Sequence, residues 1–267
     1  MSQVPADPAS SHQCGACRSG ERFSIPFSMA FQPIMDLATG RVFAYEALVR
    51  GPNGESAASI LGQVTDQNRY GFDQACRKRA IELAAELRLP ETGALLSINF
   101  LPNAVYEPKT CLAVTLSAAR RTGFPLDRLL FEVTESEEVV DHDHLNSILD
   151  QYKAMGFKTA IDDFGAGYSG LSLLARFQPD IIKLDMELVR GIDANPVRRA
   201  IVDSMLRICR DLSITAIAEG IETPGECRTL LDLGVTLQQG YLFARPGFEA
   251  LPVPALPDLP RFSRLVA

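Results

Sequence analysis

The feature that most constrains this chain is an alternation of two kinds of segment. Short apolar runs rich in Ile, Leu, Phe and Val fall at 28–35 (SMAFQPIM), 42–49 (VFAYEALV), 94–100 (ALLSINF), 128–134 (RLLFEVT), 157–163 (FKTAIDD), 180–185 (DIIKLD), 213–218 (SITAIA) and 236–242 (TLQQGYL). They read as strands buried on both faces. Runs with helical spacing lie between most of them, at 56–65, 70–88, 112–122, 141–155, 169–177, 195–211 and 224–233. In 70–88, Phe72, Cys76, Ala80, Leu83 and Leu87 form an apolar stripe. Thr223-Pro224 suits a helix start, with Thr as cap and Pro in the first turn. Strands alternating with helices imply βα units and a parallel sheet. Eight strands in ~220 residues favour a closed, TIM-like (β/α)8 barrel of the α/β class over an open sheet. The first two runs are separated by only about six residues around Thr39-Gly40. That is too short for a parallel crossover, so this N-terminal pair is expected to be antiparallel.

Composition narrows the function. With 46% hydrophobic and 22% charged residues, disordered, collagen-like and coiled-coil chains are excluded. A net charge of −7 argues against a broad grip on a DNA or RNA polymer. The longest stretch without a charged residue is 92–106, too short for a membrane span, and no secretory signal is visible, so a cytoplasmic location is expected. Six cysteines in a chain of this size then read as reduced, with Cys76, Cys209 and Cys227 as core packing. Three domains are expected: an arm at 1–22, a barrel domain at 23–248 and a Pro-rich tail at 249–267. The arm holds His12, Cys14 and Cys17, a spacing open to zinc, redox or no role. The prolines that begin at Pro246 exclude helix and central strand and suit an extended surface tail. His142 and His144 read as a solvated helix start.

Polar residues sit at the end of nearly every strand. They are Glu46 and Arg50, Asn99, Glu132 and Glu135, Asp162-Asp163, Lys183 and Asp185, Glu219 and Glu222, and Gln239. In a barrel the C-terminal rim is where sites are built, so these positions converge. Glu46, Glu132 and Asp162 lie in apolar contexts where an unpaired carboxylate costs several kcal/mol. Several carboxylates in one mouth repel unless a cation neutralises them. Carboxylates plus the Asn99 carbonyl are hard oxygen donors that suit Mg2+ or Mn2+ over Zn2+. On a flat strand Asp162 and Asp163 would face opposite ways, but at a strand end the chain turns and both can reach one site. Two ions about 3.5–4 Å apart would clamp a displacement at phosphorus, with Lys183 holding or deprotonating the attacking water. The stretch 164–170 (FGAGYSG) lacks the lysine and glycine spacing of a phosphate loop and reads as a mobile loop carrying Asp163.

These residues resemble the EAL-domain family, bacterial phosphodiesterases acting on cyclic di-GMP. The resemblance rests on Glu46-Ala47-Leu48-Val49-Arg50 together with Gln32-Pro33-Ile34, Ser97-Ile98-Asn99, Phe131-Glu132-Val133-Thr134-Glu135, Ile161-Asp162-Asp163-Phe164-Gly165, Ile182-Lys183-Leu184-Asp185, Ala218-Glu219-Gly220-Ile221-Glu222-Thr223 and Gln239-Gly240, in the family order from about 26 to 248. It implies a TIM-like barrel with one antiparallel strand, two divalent cations (Mg2+ or Mn2+) and hydrolysis of cyclic di-GMP to linear pGpG. Carried over, Glu46, Asn99, Glu132 and Asp162 resemble ligands of a first ion, and Asp162, Asp163 and Glu219 those around a second. Lys183 resembles the residue that positions or activates the water, and Glu135 the glutamate that holds the loop after Asp163. Gln32, Arg50 and Gln239 resemble substrate contacts, and Asp185 and Glu222 supporting residues. The resemblance further implies a homodimer through the loop and helix after Asp163, with Leu173 and Leu174 facing a second copy, and leaves room for a separate sensor or regulator protein. Departures fall after Arg50 (Gly51-Pro52-Asn53-Gly54-Glu55), at Asp66-Gln67-Asn68-Arg69-Tyr70, and at Ala166 and Gly170. The first two resemble the branch found after blue-light-sensing modules. The rival reading is a non-catalytic EAL-like receptor or adaptor, against which the complete acid and lysine set speaks.

Overall fold

A computed structural model describes residues 23–101, 108–134, 142–167 and 170–257. Among them the chain runs β1 (Ser28–Asp36), β2 (Arg41–Arg50), α1 (Ala57–Leu61), α2 (Arg69–Glu86), α3 (Leu89–Thr92), β3 (Leu95–Asn99), α4 (Pro108–Thr122), β4 (Leu129–Thr134), α5 (His142–Ala154), β5 (Lys158–Phe164), α6 (Gly170–Arg176), β6 (Ile181–Leu184), α7 (Met186–Val189), α8 (Pro196–Asp211), β7 (Thr215–Ala218), α9 (Pro224–Asp232), β8 (Leu237–Gln239) and β9 (Gly247–Phe248). Strands β2 to β8 pair in parallel and in order, and β1 closes the barrel by pairing antiparallel with both β2 and β8. The expected TIM-like barrel is the observed fold, and its one reversed strand is β1, as the short first connection requires.

Two apolar layers hold it. Outside the wall, helices bury their stripes against the strands, with Phe72, Cys76, Ala80 and Leu83 of α2 all inside. Inside, one residue from each strand forms a floor: Ile34, Ala44, Leu95, Leu130, Ala160, Ile181, Ile217 and Leu237. Cys76, Cys209 and Cys227 are buried free thiols, as their packing role predicts. The β1–β2 connection is a tight turn, so no crossover helix covers that part of the wall. The residues just before β1 and a segment near the far end of the barrel domain add to the core there. Phe23, Ile25, Phe27 and Leu251 pack against the core, and the Tyr45 hydroxyl donates to the Pro252 carbonyl at 3.0 Å.

Some boundaries differ from the sequence reading, for local reasons. Helix α1 ends at Leu61, because Asn68 folds the next residues into a turn by accepting from Thr65 N and donating to the Gln63 carbonyl. Strand β8 stops at Gln239, because Gly240 lies so close to Ile221 that a Cβ would sit 2.0 Å from the Ile221 carbonyl oxygen. The Pro-rich stretch contains the two-residue edge strand β9, paired with β1 at Ala30 and Phe31. Leu173 and Leu174 are buried in the chain's own core, which corrects their expected place at a dimer contact; Leu171 is the exposed leucine of α6. Leu130→Ala is expected to open a cavity in the floor and cost about 2–5 kcal/mol, read as a lower denaturant midpoint with an unchanged slope.

Candidate active site

Side chains alternate along a strand, so the residue two positions beyond each floor residue points into the barrel one layer nearer the mouth. That layer is Gln32 on the reversed β1, then Glu46, Ser97, Glu132, Asp162, Lys183, Glu219 and Gln239. Every strand therefore contributes one apolar residue below and one polar residue above. Lys183 is fully buried, which for lysine requires partners. Its Nζ lies 2.8 Å from Glu219 Oε1, 2.9 Å from Glu132 Oε2 and 3.5 Å from Glu46 Oε2. Asp162 Oδ1 is 2.8 Å away as an ion pair, outside hydrogen-bond alignment.

The remaining partners fix the acids. Ser97 Oγ donates to Glu132 Oε1 at 2.5 Å, Asn99 Nδ2 to Glu46 Oε1 at 3.2 Å and Gln239 Nε2 to Glu46 Oε2 at 2.8 Å. Asp163 joins the layer through a backbone device. The β5–β6 register shifts between Ile161 and Phe164, and Asp163 adopts a left-handed φ of 52°. This bulge turns both aspartates inward, where a straight strand would send one out. Just beyond it, Gly165 has φ 99° and packs against Leu188 of α7, which a Cβ would strike at 2.4 Å.

The electrostatics follow from five carboxylates facing one ammonium. Burial, and then Glu46 and Asp162, push Glu132 up to about 8 against the pull of Lys183. Burial, and then Asp162 and Asp185, push Asp163 up to about 6. Glu219 is held well above the carboxylate range, first by burial and then by Asp162 and Glu46. Burial lowers Lys183, but Asp162, Glu132, Glu219 and Glu46 together outweigh it and keep the ammonium charged.

Oxygens of Glu46, Glu132 and Asp162 lie within 4.8 Å of one another, as do those of Asp162, Asp163 and Glu219. These are the carboxylates of the two groups that the resemblance implies, sharing Asp162; Asn99, implied with the first, hydrogen-bonds to Glu46. The donor set is all carboxylate, with the Asn99 amide alongside, and carries excess negative charge, so it fits hard divalent cations.

The other expected site residues have partners outside the acid cluster. Gln32 donates to the Ala244 carbonyl at 3.2 Å, and half-buried Arg50 to the Val49 carbonyl at 2.7 Å. Asp185 caps α7 by accepting from Glu187 N. Glu222 pairs at 2.7 Å with Arg190, both exposed, away from the acid cluster. Glu135, His12, Cys14 and Cys17 fall outside the described residues; α5 starts at His142, though its first side chains are not described. Two residues were missed. Ser97 is readable as an inward position, since Ser97 and Asn99 alternate with apolar residues in LLSIN. Glu226 accepts from the backbone of Gly191, Glu222 and Thr223, tying the Glu219 loop to the segment after α7. Nothing in its local sequence beyond the capping box marks that reach.

The EAL domain family matches residues 24–246, and the chain belongs to that family. It is 33% identical over 229 residues to the blue light- and temperature-regulated antirepressor BluF of Escherichia coli K12, covering 86% of this chain and 56% of BluF. It is 31% identical over 248 residues to the cyclic di-GMP phosphodiesterase NbdA of Pseudomonas aeruginosa, covering 89% of this chain and 30% of NbdA. The chain thus spans about half or less of these relatives. A standalone versatile EAL protein from Vibrio cholerae O395, solved in its c-di-GMP bound form, is 51% identical with a TM-score of 0.84, over 90% of this chain and 99% of that one. BlrP1 of Klebsiella pneumoniae, solved with manganese and cyclic di-GMP, is 41% identical with a TM-score of 0.79, over 86% of this chain and 58% of that one. Among the described residues no helix is long and apolar enough to cross a membrane.

A carboxylate raised in the folded state holds protons that the unfolded chain has already released. Glu132 does so between the ordinary 4.5 and about 8, so its contribution to stability is full below that window and is lost as pH rises through it. The metal-free protein is expected to show a falling thermal midpoint from about pH 5 to 8, and Glu132→Gln to flatten that slope.

Proposed function

We propose that the protein is a metal-dependent phosphodiesterase that hydrolyses cyclic di-GMP to linear pGpG in bacterial second-messenger signalling. The observation that carries this is the complete polar layer: five carboxylates in two groups sharing Asp162, around the Lys183 ammonium. The names of NbdA and the ligand in the Vibrio protein support the substrate.

Two divalent cations, Mg2+ or Mn2+, would be held by Glu46, Asn99, Glu132 and Asp162, and by Asp162, Asp163 and Glu219. When bound they neutralise charge developing on the phosphoryl oxygens and lower the pKa of a coordinated water. The chain's own groups do the rest. Lys183 stays protonated among its acids, so it suits orienting a water's lone pair rather than removing its proton. Ser97 and Gln239 keep the Glu132 and Glu46 oxygens aimed inward. Gln32, Arg50 and Gln239 line the approach of the dinucleotide, and Asp185, through its cap on α7, and Glu222 support the surrounding loops. Glu135 is carried as the residue that holds the loop after Asp163. Water adds across one P–O3′ bond, leaving a 5′-phosphate on one guanosine and a 3′-hydroxyl on the other.

We place the protein in the cytoplasm as a homodimer through the loop and helix after Asp163, where Leu171 is an exposed apolar residue, with a separate sensor or regulator supplying control. The arm at 1–22 and the Pro-rich tail from 249 flank the catalytic domain in this reading.

The test is chromatography of cyclic di-GMP incubated with the protein and Mg2+ or Mn2+. Appearance of pGpG, abolished by chelator and reduced about 100-fold or more by Glu46→Ala, Lys183→Ala or Asp162→Asn in folded protein, is expected. Binding of cyclic di-GMP without pGpG would instead support the receptor reading.

A further inference from the structure

Helix α2 carries a charge pair that the reaction does not use. Asp73 and Arg77 lie one turn apart and both are buried. Arg77 Nη2 donates to Asp73 Oδ2 at 2.5 Å, and its Nη1 reaches Thr115 Oγ1 of α4 at 3.4 Å. An apolar pair of similar volume is often as stable as a buried ion pair, so packing does not explain the charges. The second Asp73 oxygen does. Asp73 Oδ1 accepts from Leu101 N at 3.0 Å. The β3 ladder ends one residue earlier, where Phe100 N donates to the Glu132 carbonyl at 2.9 Å. Leu101 N is thus the first amide beyond the sheet, two residues past Asn99. One pair therefore grips the chain as it leaves β3 and, through Thr115, the helix that follows. Among the described residues, the side chain of Asn99 is tethered to Glu46.

We propose that Asp73, held by Arg77, is a positioning residue for Asn99: it fixes the backbone beyond β3 so that the Asn99 amide stays beside Glu46 and within reach of a divalent cation. This rests on the metal reading above.

The test is the double substitution Asp73→Leu/Arg77→Met, which removes both charges and strands neither in the core. The whole chain is titrated with MnCl2 in the absence of substrate by calorimetry, with circular dichroism and thermal unfolding reporting the fold. A folded double variant whose Mn2+ dissociation constant rises about tenfold or more is expected, as for other residues that orient metal ligands. KM for cyclic di-GMP at saturating Mn2+ should move less than about twofold. In an Asn99→Ala background the same double substitution should add little, since both act through one ligand. A folded double variant with wild-type Mn2+ affinity, or losses that add to those of Asn99→Ala, would overturn the proposal. If the double variant does not fold, hydrogen exchange of the wild type decides: a protected Leu101 amide supports the tether, and exchange at the rate of an open loop overturns it. Wild-type protein that bound no Mn2+ would overturn the metal reading, and this proposal with it.

Discussion

The Lys183 ammonium, buried between carboxylates of β2, β4, β5 and the end of β7, is the contact on which the order of the mouth depends. Without a positive centre, Glu46, Glu132, Asp162 and Glu219 would face one another across a low-dielectric cavity and repel. With it, each acid has one oxygen drawn inward; Ser97 and Asn99 hold the second oxygens of Glu132 and Glu46 from the side, and Gln239 shares Glu46 Oε2 with the ammonium. One ammonium does not balance five acids, and burial, with the neighbouring carboxylates adding to it, raises Glu132, Asp163 and Glu219. The shortfall makes the layer receptive to divalent cations: binding strength is stored as charge that the fold itself leaves uncompensated.

The layer owes its coherence to the pleat. Each polar residue stands two positions above an apolar floor residue, so the packing that sets strand register also sets which functional groups meet. A one-residue slip in any barrel strand would exchange a floor residue for an outward one and remove a polar residue from the mouth at once. Only β5 breaks the rule, and it does so with a bulge and a left-handed Asp163, a conformation that aspartate adopts more readily than most residues. That departure lets one strand supply two acids.

Most of this was legible in the chain. Short apolar runs ending in acids pointed to both the barrel and its mouth, because strand termini and catalytic rim coincide in parallel barrels. The antiparallel pairing of β1 with β2 followed from loop length; that β1 is the reversed member shows in its antiparallel pairing with β8. What stayed hidden depended on contacts between distant segments. Leu173 and Leu174 look like any apolar pair on a helix, and only the packed structure shows them turned inward with Leu171 out. Asp73 and Arg77 have only the spacing of an i,i+4 pair in the sequence; their burial, and the bond from Leu101 N to Asp73, come from α2 lying against the chain just beyond β3. Glu222 sits three residues from Glu219, close enough in sequence to suggest a shared site, yet the turn after β7 carries it to Arg190 instead.

The reversed first strand has a consequence for how the molecule is made. β1 and β2 form early in synthesis and pair with each other, but the other edge of β1 waits for β8 at Leu237–Gln239 and β9 at Gly247–Phe248. The bond from Tyr45 to Pro252 spans 207 residues. The hairpin edge therefore stays open until β8 and β9 have been made, and ring closure is the last step in assembling the barrel wall. Such long-range pairing slows folding and leaves the nascent hairpin exposed to other chains until the C-terminal strands arrive.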